Sequence, residues 1–154
     1  MSPAQQVIAE EHDLVCRFLE LLRTENQGLK SGALEDLAEI GRKKSGLIPE
    51  LEAKTQARLS FFHVKDPAKA TADAAQWFAD NPHEREALNT WQGLLECAAK
   101  ARDLHKTNEL LVSLLLQRTG AALDILVQRQ RDQVTYGSNG QASAPTGSRI
   151  IDSA

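Results

Sequence analysis

The longest helical pattern in the chain runs from Asn81 to about Arg131. Asn81-Pro82-His83-Glu84 is a helix-start signature, with a capping side chain, a proline where a missing amide does no harm, and a carboxylate three residues after the cap. Further residues then step by three and four, an average spacing of 3.5 that is typical of a helix packed along another helix. These residues are Leu94, Cys97, Ala101, Leu104, Asn108, Leu111, Leu115, Arg118, Ala122 and Ile125. A helix of this length extends roughly 70 Å, which predicts an elongated bundle.

Two polar residues, Asn108 and Arg118, occupy positions of this seam. A buried Asn there fixes the register of packing at some cost in stability, whereas Arg118 can pack its stem and keep its charge in water. A second apolar row runs beside the seam. It consists of Val112, Leu116, Thr119, Leu123, Leu126 and Val127. One antiparallel helix covers one stripe, so the second row requires either a third helix of the same chain or another protein.

The first helix is predicted to begin with Ser2 as its cap, Pro3 as its first residue and Gln5 reaching back to the cap. Its apolar stripe includes Leu14 and Phe18. We expect it to end between Asn26 and Gly28, where Gly28 can adopt the left-handed conformation that terminates helices.

The second helix is predicted to start at Ser31-Gly32 and to run antiparallel to the first as far as Phe62. Gly46 and Pro49 interrupt its pattern. Proline inside a helix removes one backbone hydrogen bond and costs ~3 kcal/mol, so we expect a kink or a break between Ser45 and Pro49.

Residues 63–82 form a connector with a helix of its own. Asp66-Pro67 is a cap-and-start pair, Ala68 to Ala79 suits a short helix, and Trp77 and Phe78 are expected to anchor it. The predicted class is therefore all-α: an elongated antiparallel helical bundle of a helix pair, a short connector helix and one long C-terminal helix in residues 1–131. A flexible Gly- and Ser-rich tail is expected in residues 132–154.

Composition argues against several classes of function. The net charge of -3 and the aromatic content of 5% do not favour nucleic-acid binding or attraction to an acidic membrane. No stretch is expected to reach the ~18 apolar residues needed to span a bilayer, and no secretory signal is evident. Cys16 and Cys97 lie far apart in sequence and are interpreted as free thiols of a reducing compartment. We therefore expect a soluble cytoplasmic protein.

No catalytic or metal-binding motif emerges. The four histidines do not have metal-ligand spacing, and phosphate-binding loops and nucleophile elbows are not found in the sequence. We expect no enzyme, no cofactor and no metal.

Three segments resemble the FlgN family of flagellar export chaperones. Leu34 to Ile40 (LEDLAEI), followed by Lys43-Lys44, resembles the family's second helix. Leu104 to Leu111 (LHKTNELL) resembles the Leu-x-x-x-Asn-x-x-Leu core of its long helix. Tyr136 to Gly140 (YGSNG) resembles its aromatic-glycine turn after that helix. The order and spacing of the three segments cover most of the chain.

This resemblance implies a cytoplasmic chaperone without enzymatic activity. Such a protein holds the hook-filament junction (hook-associated) proteins by their helical C-termini and delivers them to the cytoplasmic domain of the flagellar type III export gate. Tyr136 then corresponds to a contact with the gate. The implied substrate-binding residues are Leu111, Val112, Leu115, Leu116, Thr119, Leu123, Leu126 and Val127.

Two alternatives remain open on the sequence. The second apolar row can be covered by the first two helices, in an ordinary three-helix core. The seam can also pair with a second copy of itself, in a self-assembling coiled-coil adaptor.

Overall fold

Four α-helices make up almost all of the chain that can be described. The computed structural model describes residues 1–136, with side chains through Val134. The helices are α1 (Pro3–Ser31), α2 (Leu37–Phe61), α3 (Ala70–Asp80) and α4 (Arg85–Tyr136), and a 3₁₀ helix (Pro67–Lys69) precedes α3. No strand occurs within residues 1–136, so the predicted all-α class is confirmed. The predicted tail from Gly137 onward lies outside the described residues.

The chain divides into two compact units, one formed by Met1–Leu111 and one that starts at Val112. The division falls inside α4. This helix has 52 residues and continues as far as Tyr136, past residue 131, where the helical bundle was predicted to end. Each unit is described by itself below.

α1 begins as predicted and ends later than predicted. The Ser2 hydroxyl accepts a hydrogen bond from the Gln5 amide at 3.1 Å, and Pro3 is the first helical residue. The Gln5 side chain, expected to reach back to the cap, instead donates to Thr90 Oγ1 of α4 at 3.1 Å. The predicted end at Gly28 is wrong, because the left-handed residue is Gly32, with φ of 78°.

Tertiary packing accounts for the extra turn of α1. Asn26 and Leu29 are both buried, so the segment expected to terminate the helix contributes to the core instead. A Cβ on Gly28 would lie 3.0 Å from the Ala33 carbonyl oxygen. Gly28 therefore serves a close approach of the following turn, while Gly32 takes the left-handed conformation.

α2 starts at Leu37, so the predicted start at Ser31-Gly32 is wrong; those residues belong to the end of α1 and its cap. The helix then continues through Pro49 to Phe61 without a break. Ser45 and Pro49 are both exposed, so the Ser45 carbonyl oxygen that loses its amide partner can be hydrated. This exposure reduces the cost of proline in the helix interior.

Ion pairs hold α1 and α2 in the predicted antiparallel arrangement. Near the start of α1, Glu10 binds Lys54 at 2.6 Å, and near its end, Glu25 binds Lys44 at 2.7 Å. Glu11 is the most buried of these carboxylates, with 5% of its side chain exposed. It accepts hydrogen bonds from Arg58 Nε at 2.5 Å and from the Thr55 hydroxyl at 2.8 Å.

An aromatic cluster joins the connector to the other helices of the first unit. Phe61, Phe62, Trp77, Phe78 and Trp91 pack edge to face, with ring centroids 5.1–6.2 Å apart. Small residues of α1, α3 and α4 close the same core. The predicted Asp66 cap and the anchoring roles of Trp77 and Phe78 are confirmed.

The predicted start of α4 is wrong by three residues. Asn81 ends α3, where its Nδ2 donates to the Trp77 carbonyl oxygen at 2.8 Å. Pro82 and His83 form a turn, and α4 begins at Arg85. The Glu84 carboxylate accepts a hydrogen bond from the Ser2 hydroxyl at 2.7 Å, which joins the start of α4 to the start of α1.

We expect Arg58→Met to destabilise the protein by about 3–5 kcal/mol, because it leaves the Glu11 carboxylate buried without its charged partner. It also removes the guanidinium that lies 5.2 Å from the centroid of the Trp91 ring. Urea unfolding followed by circular dichroism measures the change. The matched control is Arg42→Met, whose partner Glu39 is 52% exposed; its expected cost is under about 1 kcal/mol. Equal costs for the two variants would contradict the role given to the Glu11–Arg58 pair.

Candidate partner-binding surface

A buried amide pair fixes α4 against α1. Asn108 is 2% exposed, and its Oδ1 accepts a hydrogen bond from Asn26 Nδ2 at 2.9 Å. Its own Nδ2 donates to the Leu22 carbonyl oxygen at 3.0 Å and to Glu25 Oε1 at 2.8 Å. Glu25 also pairs with Lys44, so this polar layer connects α1, α2 and α4. The prediction that Asn108 is a buried polar residue of the seam is confirmed.

The predicted seam is covered only along the first part of α4. Leu94 and Asn108 are buried, and Leu104, Leu111 and Leu115 are half-buried. Cys97 and Ala101 are half-buried too, and the last three seam positions, Arg118, Ala122 and Ile125, are exposed. The sequence periodicity therefore continues beyond the residues at which neighbouring side chains cover it.

In the second unit, most of the predicted substrate-binding residues are exposed. We call Val112, Leu116, Thr119, Leu123, Leu126 and Val127 the distal surface. Its five aliphatic side chains are between 41% and 67% exposed. At about 100° per residue, all six residues fall on one side of the helix. Within residues 1–134 none of the six side chains is buried, contrary to the alternative in which the first two helices cover this row.

The other predicted site residues are placed differently. Leu111 and Leu115 are half-buried, so only part of each side chain is accessible. Tyr136 is the last residue of α4. The structure thus separates the predicted set into a partly covered edge, an exposed face and a residue at the end of the helix.

Sequence reasoning missed Leu110 and Leu114, which form a second exposed apolar group with Ile125, a residue it assigned to the seam. Leu110, Leu114 and Ile125 are 67%, 56% and 55% exposed. The helical period places them on the side opposite the distal surface. The helical positions of the leucines in this run already indicate a third apolar side of α4. The sequence analysis considered only the seam and the row beside it.

The same part of the chain resembles a membrane-spanning helix in length and composition. An 18-residue stretch of α4 has a mean hydropathy of 1.6 and is 0% buried. This finding corrects the expectation that no stretch of the chain is apolar enough. Arg118 and Asp124 nevertheless stand among its leucines, and charges near the middle of a spanning helix are costly.

One cluster of reactive side chains also escaped the sequence analysis. His12, Cys16 and Cys97, judged to lack ligand spacing, have their ligand atoms within 4.8 Å of one another. Both cysteines are free, as expected. The missed signal is the four-residue spacing of His12 and Cys16, which puts both on one face of α1.

The comparison with protein families agrees with this geometry of a packed helical unit and a long, apolar, exposed helix. The family model described as FlgN protein matches residues 1–144. The chain belongs to the FlgN family. No curated protein and no solved structure matches the chain. Membership gives this FlgN-family protein the general role of a flagellar export chaperone.

We expect the double variant Leu116→Asp/Leu123→Asp to keep the stability of the first unit within about 0.5 kcal/mol, because both side chains are already exposed. By contrast, Leu94→Ala, at a position 3% exposed, is expected to cost about 2–5 kcal/mol. Thermal unfolding of the three proteins measures both effects. A large loss of stability in the double variant would mean that the distal surface supports the fold of the free chain.

Proposed function

We propose that this FlgN-family chain is a cytoplasmic export chaperone that binds the helical C-termini of hook-filament junction (hook-associated) proteins. It then delivers them to the flagellar type III export gate. The observation that carries the proposal is the exposure of the distal surface on α4. The role is one of binding and release, and no catalytic step is assigned to it.

The energetics favour a partner for this surface. Fully burying one exposed Val or Leu side chain is worth ~1.5–3 kcal/mol. The five aliphatic side chains of the distal surface are 41–67% exposed, so covering what is still exposed yields roughly 4–8 kcal/mol by the same scale. Association costs a comparable amount in lost translational and rotational freedom. The balance leaves net binding that is reversible, as a chaperone that must release its cargo requires.

The shape of the surface favours a helix as the occupant. Leu116 and Leu123 are seven residues apart, and Thr119 lies between them on the same side of α4. An amphipathic helix presents apolar side chains at the same spacing and can lie along such a row. The exposed group of Leu110, Leu114 and Ile125 on the opposite side offers contacts to a cargo that wraps beyond one face.

A membrane is a weaker occupant for the same helix. Arg118 and Asp124 each cost about 2.5–3.5 kcal/mol at the centre of a bilayer. Against a protein partner, both charged groups can stay at the hydrated edge of the interface. The proposed chaperone therefore works in the cytoplasm without inserting into the membrane.

A pull-down with the C-terminal segment of a hook-filament junction protein tests the site. We expect Leu116→Asp/Leu123→Asp to weaken binding by at least about 100-fold, because each substitution puts a carboxylate into a desolvated contact worth roughly 1.5–3 kcal/mol. The matched control is Gln92→Asp/Ala99→Asp, which adds two carboxylates seven residues apart at exposed positions of α4 outside both apolar groups. Unchanged binding by the folded Leu double variant would exclude this face.

Light scattering separates the chaperone from the self-assembling adaptor. A free chain that is monomeric and forms a one-to-one complex with the junction-protein segment supports the chaperone. A dimer that is independent of concentration, and that Leu116→Asp/Leu123→Asp dissociates, would support the adaptor instead.

The proposed contact with the export gate is tested at Tyr136, which ends α4. Support for this assignment comes from family membership and from the position of the residue beyond the distal surface. We expect Tyr136→Ala to lose binding to the cytoplasmic domain of the gate while it retains the junction-protein segment, as measured by titration calorimetry with each partner. Loss of both interactions, or of neither, would contradict a separate gate contact.

A further inference from the structure

Three potential metal ligands meet between α1 and α4, within the unit Met1–Leu111. Cys16 Sγ lies 2.9 Å from Cys97 Sγ, and Cys97 Sγ lies 3.9 Å from His12 Nε2. Each residue offers one ligand atom, and these atoms are all within 4.8 Å of one another. The three side chains are half-buried, so the cluster is shielded without being closed to solvent.

The backbone of α4 is adapted to the imidazole. A Cβ on Gly93 would lie 3.2 Å from His12 Nε2 and 3.4 Å from its Cε1. Glycine in a helix interior is less favourable than alanine, and here it provides the space that the ring occupies. Gly93 and Cys97 are four residues apart, as are His12 and Cys16, so facing positions of the two helices build the cluster.

A route from solvent reaches one of the sulfurs. Cys16 lines an open cavity of about 610 Å³ between α1 and α2. Asp13, Glu20, Arg17 and Lys43 line the same cavity, so acidic and basic groups balance at its wall. A small cation can therefore approach Cys16 without displacing the helices.

We propose that His12, Cys16 and Cys97 bind one thiophilic metal ion of the Zn²⁺ type, which joins α1 to α4. Two sulfurs and one imidazole nitrogen are a donor set that Zn²⁺ accepts, with water in the fourth position. Tetrahedral coordination with Zn–S bonds of about 2.3 Å separates two sulfurs by about 3.8 Å, and a sulfur and a nitrogen by about 3.6 Å. The distance of 3.9 Å between Cys97 Sγ and His12 Nε2 is close to this value. The two sulfurs must move apart by less than 1 Å, and Cys16 Sγ and the imidazole, which lie within 4.8 Å of each other, must approach by at most about 1.2 Å.

Binding exchanges protons for the metal. Each thiol loses its proton to solvent as its sulfur bonds to Zn²⁺, so one ion releases two protons, and the neutral imidazole releases none. Burial, followed by the hydrogen bond with Cys97 and the charge of Asp13, raises the pKa of Cys16 to about 11, against the lowering effect of Arg23.

The test uses the full chain, reduced and freed of metal, with Zn²⁺ as the probe in competition with a chromogenic chelator. We expect one Zn²⁺ per chain. Cys16→Ser, Cys97→Ser and His12→Gln should each lower the affinity for Zn²⁺ by more than about 100-fold. Loss of a group that only hydrogen-bonds to a metal ligand costs at most about that much. The matched control is His105→Gln, an exposed histidine next to Glu109, which should bind like the original chain.

Two further readouts guard against unfolded variants. Co²⁺ should give a thiolate-to-metal absorption band that Cys16→Ser weakens. Zn²⁺ should raise the Tm of the original chain but not that of a folded Gly93→Ala variant, in which the imidazole is displaced. Zn²⁺ binding that survives removal of both cysteines would overturn the proposal. Failure of the reduced chain to bind Zn²⁺ would also overturn it. The same holds if the two thiols form a disulfide with oxidised glutathione but bind no Zn²⁺ when reduced.

Discussion

The hydrogen bonds of Asn108 determine how far α4 is covered. Two helices that pack only through leucines can shift by one turn relative to each other at little cost in free energy, because each leucine then takes the place of another. A buried amide must be matched by specific partners, and Asn108 finds them in Asn26, Leu22 and Glu25. This one register fixes which residues of α4 face α1. The distal surface begins at Val112, one turn later.

Beyond that point α4 lacks the usual source of helical stability. Most helices in proteins are stabilised by a buried apolar face, but the distal surface is exposed. The sequence after Val112 is instead rich in leucine, alanine, glutamine and arginine, all good helix formers. Local contacts such as that of Gln128 with Asp132 at 3.2 Å add a little. An apolar surface of this kind is exposed to misassociation, which is consistent with a helix that works in a complex.

The sequence was sufficient for the helices and insufficient for their ends. Periodicity identified the helix pair, the connector helix and the long helix, because apolar spacing reflects burial directly. The predicted caps were wrong where tertiary contacts competed with local signals. The C-cap of α1 is Gly32 and not Gly28, and Asn81 caps the end of α3 and not the start of α4. The site on α4 could be predicted as a row of residues, but its exposure could not, since exposure depends on which side chains pack against a row in the folded chain. The proximity of His12 and Cys97 could not be predicted either, because it arises from the register between two helices that are distant in sequence.

Amide hydrogen exchange of the full chain, with and without the C-terminal segment of a hook-filament junction protein, shows whether the distal surface is the cargo-binding site. We expect α4 from Val112 to about Val127 to exchange readily in the free chain, because few side chains pack on it. Binding should slow exchange over that stretch and leave α1 and α2 unchanged. Protection that falls on α1 or α2, while residues 112–127 exchange as in the free chain, would contradict binding at the distal surface.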